Sequence, residues 1–286
     1  MLLQSFSRRL LPACHSLRWI SSSDEPQILL EHSASSFVSK LTLNRPKANA
    51  MGKQFMHELS ECLAVLESDT DLQTRCLVVT SHSDKVFSAG ADLKERATMS
   101  QEEAADFVSF LRDSMERVAQ LPMPVIAAVE GVAVGGGLEL ALACDLRIAS
   151  EKATLGLPET SLAIIPGAGG TQRLPRLIGT ARAKQLIWLG RKLSGDEALQ
   201  YGLVEEVVAA GDATKRAMDL ASQIAQNGPI AIRASKQAID RGLQCSTLVD
   251  ALEIERQCYA KVLPTKDRLE GLAAFKEGRK PQYSGR

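Results

Sequence analysis

Val125-Ile126-Ala127-Ala128-Val129-Glu130-Gly131-Val132-Ala133-Val134-Gly135-Gly136-Gly137-Leu138-Glu139-Leu140-Ala141-Leu142-Ala143-Cys144-Asp145-Leu146-Arg147-Ile148-Ala149 is the stretch on which the fold class turns. Pro122 and Pro124 end whatever precedes it, and Val125 to Val129 is an apolar run of strand length. Gly135-Gly136-Gly137 follows and opens a small-residue helix from Leu138 to Cys144. Asp145 to Ala149 reads as a strand again. Strand, glycine turn, helix, strand is the unit of an α/β chain whose helices cover sheets.

Working outward, the same alternation holds upstream. Phe37-Val38-Ser39-Lys40-Leu41-Thr42-Leu43 alternates as a half-buried strand, and Asn44-Arg45-Pro46 breaks it. Phe55, Leu59, Leu63 and Leu66 recur at helical spacing. Cys76 to Thr80 is a short buried strand, followed by a long loop from Ser81 to Arg96. Phe107, Phe110, Leu111, Ser114, Met115 and Val118 mark the next helix. After Pro166 the pattern is helical almost throughout: 180–189, 195–201, 212–226, 230–241, 247–262 and 265–275, with Leu203 to Val208 as the one strand-like break. The expected organisation is a body over 24–210 and a helical region over 211–286 that serves as a lid or an oligomerisation element.

Composition narrows the function classes. Lys plus Arg and Asp plus Glu balance at 34 each, so a global basic footprint for nucleic acid is absent. No stretch approaches the roughly 20 apolar residues of a membrane span. Aromatic residues are only 4%, so the core must be aliphatic and alanine-rich. Residues 1–23 hold Arg8, Arg9 and Arg18 and no acid, the pattern of a mitochondrial transit peptide with processing near Arg18 to Ser23. The six cysteines form no CxxC pair and histidine is too sparse for a zinc cluster, so free, mostly buried thiols are expected and no metal.

Two glycine-bearing turns could carry chemistry: Phe87-Ser88-Ala89-Gly90-Ala91-Asp92-Leu93-Lys94-Glu95 and the triplet at 135–137. Glycine lets a ligand touch the main chain, and a helix N-terminus offers unpaired N–H groups to an anion. The order G-x-G-x-x-G is not met and no Walker lysine follows, which excludes the common nucleotide loops. Taken alone, the triplet is explained as well or better by close helix–strand packing. Glu139 lies two residues beyond it in an apolar run, where an unpaired charge is costly unless its pKa rises, as a general acid or base requires. Glu159 follows Leu155-Gly156-Leu157-Pro158. Each acid is equally at home as an ordinary helix-start carboxylate.

Taken together, the segments resemble the enoyl-CoA hydratase/isomerase (crotonase) family. Phe87 to Glu95 is similar to its first oxyanion and CoA-binding loop, Ala128 to Ala141 to its second, and Leu157-Pro158-Glu159 through Gly167-Ala168-Gly169-Gly170-Thr171-Gln172-Arg173-Leu174 to the segment with its second glutamate. The likeness runs from about Leu41 to the C-terminus. It implies a spiral of ββα units with a C-terminal helical trimerisation region, a homotrimer or homohexamer, and a mitochondrial-matrix hydro-lyase (a lyase) of acyl-CoA metabolism. It implies an oxyanion hole from the N–H groups of Ala91 and Gly136 and catalysis by Glu139 and Glu159. CoA contacts would come from Ala89, Gly90, Ala91, Asp92, Leu93, Lys94 and Gly136, with Arg45 and Lys276 as weaker candidates. Ala97, Met99, Phe107 and Leu162 are candidates for the acyl pocket, though each serves equally as core. Coenzyme A is then part of the substrate, and no permanently bound cofactor is expected. One relative binds RNA through a lysine-rich helix; here 46–72 mixes Lys47 and Lys53 with Glu58, Glu61, Glu67, Asp69 and Asp71, so RNA binding is not expected. An isomerase, a decarboxylase or a non-catalytic CoA- or RNA-binding protein on the same fold are the competing functions.

Overall fold

The computed structural model describes residues 7–10, 16–20, 25–71 and 73–286. The rest of the expected transit peptide, with Cys14, lies outside the described residues. Its described parts are two strands, β1 (Ser7–Leu10) and β2 (Ser16–Ile20), at one edge of the larger sheet.

Beyond that edge, β3 (Ile28–Ser33) and β4 (Val38–Leu43) form an antiparallel pair, followed by α1 (Lys53–Glu67). Repeating turns of strand, strand and helix come next: β5 (Cys76–Ser81), β6 (Val86–Ser88), then α2 (Leu93–Arg96) and α3 (Gln101–Gln120); β7 (Val125–Val129), β8 (Val132–Val134) and α4 (Gly136–Ala143); β9 (Leu146–Ser150), β10 (Thr154–Gly156), a 3₁₀ turn (Glu159–Leu162), α5 (Gly170–Ile178) and α6 (Thr180–Leu189). A shorter turn holds β11 (Lys192–Ser194), α7 (Gly195–Tyr201) and β12 (Glu206–Val208). The chain ends in α8 (Ala213–Ala225), α9 (Pro229–Gly242), α10 (Leu248–Val262) and α11 (Lys266–Glu277).

Each full turn sends its first strand to one sheet and its second to the other. The larger sheet runs β1-β2-β3-β4-β5-β7-β9-β12 and the smaller β11-β10-β8-β6. Parallel pairing, Leu77 opposite Val125 and Ile126 opposite Leu146, stacks the turns in register. This is a spiral of ββα units with a helical tail.

The apolar runs of β5 and β7 make sense in that frame, because a parallel strand is covered on both faces. Alternate residues separate into two cores. Leu77, Val79, Val125, Ala127 and Val129 face the main core with α1, α3 and α4. Cys76, Val78, Ile126 and Ala128 face α8, which meets them with a stripe of Ala213, Ala217, Ala221 and Ala225. Side chains that small let the helix lie close on the sheet, which suits a chain poor in aromatics. Cys62, Cys76, Cys144 and Cys258 are free and buried, and Cys245 is free and half-buried. Among the described residues, no helix is long and apolar enough to cross a membrane.

Three local expectations are corrected. The loop from Ser81 to Arg96 contains β6 and α2. Leu203 to Val208 is strand only at Glu206–Val208, and β11 is a second strand within the helical third. Strand β3 and helix α5 were not expected from the sequence.

Candidate active site

Two main-chain N–H groups meet between the first two glycine turns. Met51 N–H donates to the Gly90 carbonyl at 2.8 Å, and Asp92 N–H donates to the Met51 carbonyl at 3.1 Å. A trans peptide points its carbonyl and its N–H in opposite directions. The Ala91 N–H therefore points away from Met51. The second amide follows the same logic: the Gly135 carbonyl accepts the Glu139 N–H at 3.0 Å inside α4, so the Gly136 N–H projects outward from the helix start. A methyl placed on Gly136 would lie 3.6 Å from the Ala91 nitrogen. Among the described residues, neither N–H has an acceptor. Two free donors side by side at a helix N-terminus form a cradle for one oxygen bearing negative charge.

The triplet also serves packing. A methyl on Gly137 would lie 2.2 Å from the Ser88 carbonyl oxygen, so the first turn can approach only a glycine there. Both meanings of the triplet, close approach and free amides, therefore coexist.

Every residue of α4 is buried, including Glu139, which is 3% exposed. Its Oε1 accepts two N–H bonds, from Ala168 and Gly170, each at 2.8 Å. The carboxyl thus sits at the N-terminus of α5. Burial raises its pKa, while the N–H bonds of Gly170 and Ala168 and the charges of Arg173 and Arg112 pull the other way without cancelling the rise.

Glu159 opens the 3₁₀ turn that follows β10. Its Oε1 lies 3.3 Å from where a methyl on Gly135 would stand, which places the carboxyl against the second glycine turn. Its Oε2 is buried and makes no hydrogen bond among the described residues. Burial first, and the nearby charge of Glu139 after it, push its pKa up to about 7. Two carboxyls with raised pKa values thus lie within electrostatic reach of each other, Glu159 against the glycine turn that carries the Gly136 amide and Glu139 three residues further along the helix which that turn opens.

The expected CoA loop is held from behind. Asp92 caps α2 by accepting the N–H groups of Lys94 and Glu95 at 3.0 and 3.1 Å, and it pairs with Arg45 at 2.5 Å. The Glu95 N–H and the Arg45 guanidinium hold its carboxyl below the ordinary range. Arg45 also donates to the Ala50 carbonyl, so its guanidinium is occupied within the loop framework. Ala89 N–H donates to the Ala48 carbonyl and Gly90 N–H to Ser88 Oγ, while Leu93 and Lys94 are exposed. Of the acyl-pocket candidates, Phe107 is core, Met99 packs against the core, and Ala97 and Leu162 are exposed. Lys276 lies in the last turn of α11 beside Phe275, which is 89% exposed.

The amides of Ala168 and Gly170 were not singled out from the sequence. Their signal was present: Gly167-Ala168-Gly169-Gly170 is a third small-residue turn opening a helix, like the second.

Comparison with known proteins fits this geometry. The sequence profile of the family described as enoyl-CoA hydratase/isomerase matches residues 33–286. The chain belongs to that family. Human "Enoyl-CoA hydratase domain-containing protein 2, mitochondrial" is 51% identical over 254 residues, 87% of this chain and 86% of its own length. Human "Methylglutaconyl-CoA hydratase, mitochondrial" is 50% identical over 241 residues, 83% of this chain and 70% of its own. A crystal structure of enoyl-CoA hydratase from Bacillus anthracis is 52% identical and superposes with a TM-score of 0.87, covering 91% of this chain and 100% of that one. The spiral with its helical tail is the crotonase fold.

Proposed function

We propose that this hydratase/isomerase adds water across the 2,3 double bond of an enoyl-CoA thioester. The observation that carries the proposal is the pair of free amides of Ala91 and Gly136 with the buried carboxyl of Glu159 against the same glycine turn and the charge of Glu139 within its reach. A thioester carbonyl seated on the two N–H groups gains negative charge as a nucleophile attacks Cβ. One such donor in a dry site is worth about 3 kcal/mol of barrier, and the start of α4 adds its dipole.

Hydration needs a base for the water and an acid for Cα. Glu139, ionised, takes a proton from water as the oxygen bonds to Cβ. Glu159, with a pKa of about 7, is half protonated near neutral pH and delivers its proton to Cα. The product gains one OH and one H, and the two carboxyls exchange their protons through solvent afterwards. The charge of Glu139 raises the pKa of Glu159, so the ionisation of the first acid favours the protonated form of the second.

CoA is bound as part of the substrate, along the main chain from Ala89 to Lys94 and at Gly136, with no permanently held cofactor. Assembly as a homotrimer or homohexamer is supported by the apolar positions the tail leaves uncovered, among them Leu243, Leu248, Val249, Leu269, Leu272 and Phe275. A role in mitochondrial fatty-acid or branched-chain acyl-CoA metabolism is supported by the acid-free segment 1–23 and by the relatives whose names include the mitochondrion. A Bacillus relative is equally similar, so the location rests chiefly on that segment. RNA binding is not part of the proposal.

Purified protein should bleach the enoyl-thioester absorbance of crotonyl-CoA or a short branched enoyl-CoA, and Glu139→Gln should abolish the bleaching. No loss of that band across short, medium and branched enoyl-CoAs would overturn the proposal; a shift of the double bond without hydration would mean an isomerase.

A further inference from the structure

The Gly167–Ala168 peptide is gripped at both ends. Arg112, on α3, donates its Nε–H to the Gly167 carbonyl at 3.2 Å. The N–H of the same peptide, on Ala168, donates to Glu139 Oε1 at 2.8 Å. The peptide is planar and its carbonyl and N–H are antiparallel, so guanidinium, peptide and carboxylate form a chain of donors. A cation at the carbonyl end polarises the peptide and strengthens its N–H as a donor.

The next carbonyl is held as well. Arg173, on α5, donates Nη1 to Ala168 oxygen at 3.3 Å and Nη2 to Glu116 at 2.6 Å. Glu116 stands one turn beyond Arg112 on α3, so one helix fixes both carbonyls, directly and through Arg173. Between them Gly169 has φ of +109°. A rotation of the Gly167–Ala168 peptide would break the Arg112 bond and turn away an N–H that Glu139 uses; a rotation of the Ala168–Gly169 peptide would break the Arg173 bond in the turn that leads to the Gly170 N–H.

We propose that Arg112, with Arg173 beside it, is a positioning residue for Glu139, acting through the Gly167–Ala168 peptide to aim the carboxylate and keep it ionised. The inference rests on the reading of Glu139 as the base. The charged groups facing Glu139 are Glu159 from the 3₁₀ turn, Arg112 from α3 and Arg173 from α5, with Glu116 behind Arg173. Burial favours the neutral acid; the Gly170 and Ala168 N–H groups oppose it, and the two guanidinium groups are the opposing charges. Arg112 is exposed, so its removal leaves the core intact.

The test is enoyl-CoA hydration by R112Q, R112K and E139Q, with kcat, KM and the acid limb of kcat/KM followed over pH. A second readout is the Glu139 carboxyl carbon titrated by NMR in the E159Q background, with and without R112Q. R112Q should lower kcat roughly ten- to a hundredfold with little change in KM, and should move the acid limb and the carboxyl titration to higher pH. R112K keeps a cation near the Gly167 carbonyl and should recover most of both. If E139Q is inactive but R112Q leaves kcat, limb and titration where they were, the inference falls and the hydratase reading stands. A loss in R112Q confined to KM, with limb and titration unmoved, also overturns it. If E139Q turns over normally, both fall.

Discussion

Replacing Gly90 by alanine tests the amide cradle most sharply. Gly90 has φ of +83°, and a methyl there would lie 2.8 Å from the Gly136 nitrogen and 2.9 Å from the Val134 carbonyl oxygen. Both obstacles are main chain, so neither can swing aside like a flexible side chain. The methyl must push the two turns apart at the point where the Ala91 and Gly136 N–H groups converge. The left-handed backbone adds about 1–2 kcal/mol of strain, and the displaced cradle loses at least one oxyanion donor, worth about 3 kcal/mol and a factor of roughly 10²–10³ in kcat. G90A should therefore reduce kcat at least about a hundredfold on crotonyl-CoA, while the melting point falls by about 2–4 °C for each kcal/mol of strain. Gly202 supplies the control, since its φ is +72° and a methyl there meets nothing within 4 Å. G202A should melt lower yet keep its kcat. A G90A enzyme that melts like G202A and turns over within about threefold of wild type would refute the reasoning. The two amides would then tolerate separation, and the thioester oxygen must be held elsewhere.

E139Q and E159Q should each lower kcat by roughly 10²–10⁴ while leaving CoA affinity, measured by calorimetry, nearly unchanged. The kcat/KM profile should be bell-shaped, falling on the acid side as Glu139 is protonated and on the alkaline side, above about 7, as Glu159 loses its proton. The folded state raises Glu159 from 4.5 to about 7, so stability is full below 4.5 and declines as pH rises toward 7; melting curves of E159Q should lack that decline. Met115 is fully buried in the main core, and M115A should cost about 2–5 kcal/mol in denaturant unfolding. Aspartate at both Leu272 and Phe275, exposed apolar residues of α11, should lower the mass seen by light scattering.

What the sequence disclosed depended on how each element is stabilised. Thr180–Leu189 and Val125–Val129 were legible to the residue, because an amphipathic helix ending in glycine and an apolar run bounded by proline and glycine both announce their ends. Helix α5 was hidden because it starts at a glycine and contains Pro175; it persists because Leu174 and Ile178 are buried against the core. Strands β6, β8, β10 and β11 have three residues each, too few for a period to show, and exist because the larger sheet brings them into pairing distance. Glu139 and Glu159 were legible as positions but not as chemistry, since nothing local separates a buried base from a helix-start acid. Arg112 left no local signal: its partner, Gly167, is 55 positions away.

Glu139 lies close enough for its charge to act on Glu159, yet their surroundings assign them different tasks. Desolvation is the largest influence on each and favours the neutral acid in both. Glu139 has two N–H donors on one oxygen, a helix start beneath it and two guanidinium groups near by, all of which favour the anion. Glu159 has a buried oxygen without a partner among the described residues and a neighbouring carboxylate, both of which favour the proton. Once Glu139 is ionised, its charge raises Glu159 further. Water activation and proton delivery call for one carboxylate and one carboxylic acid at the same pH, and this asymmetry supplies them. Exchanging the roles would require moving the Ala168 and Gly170 amides from one acid to the other, a change no single side-chain substitution can make.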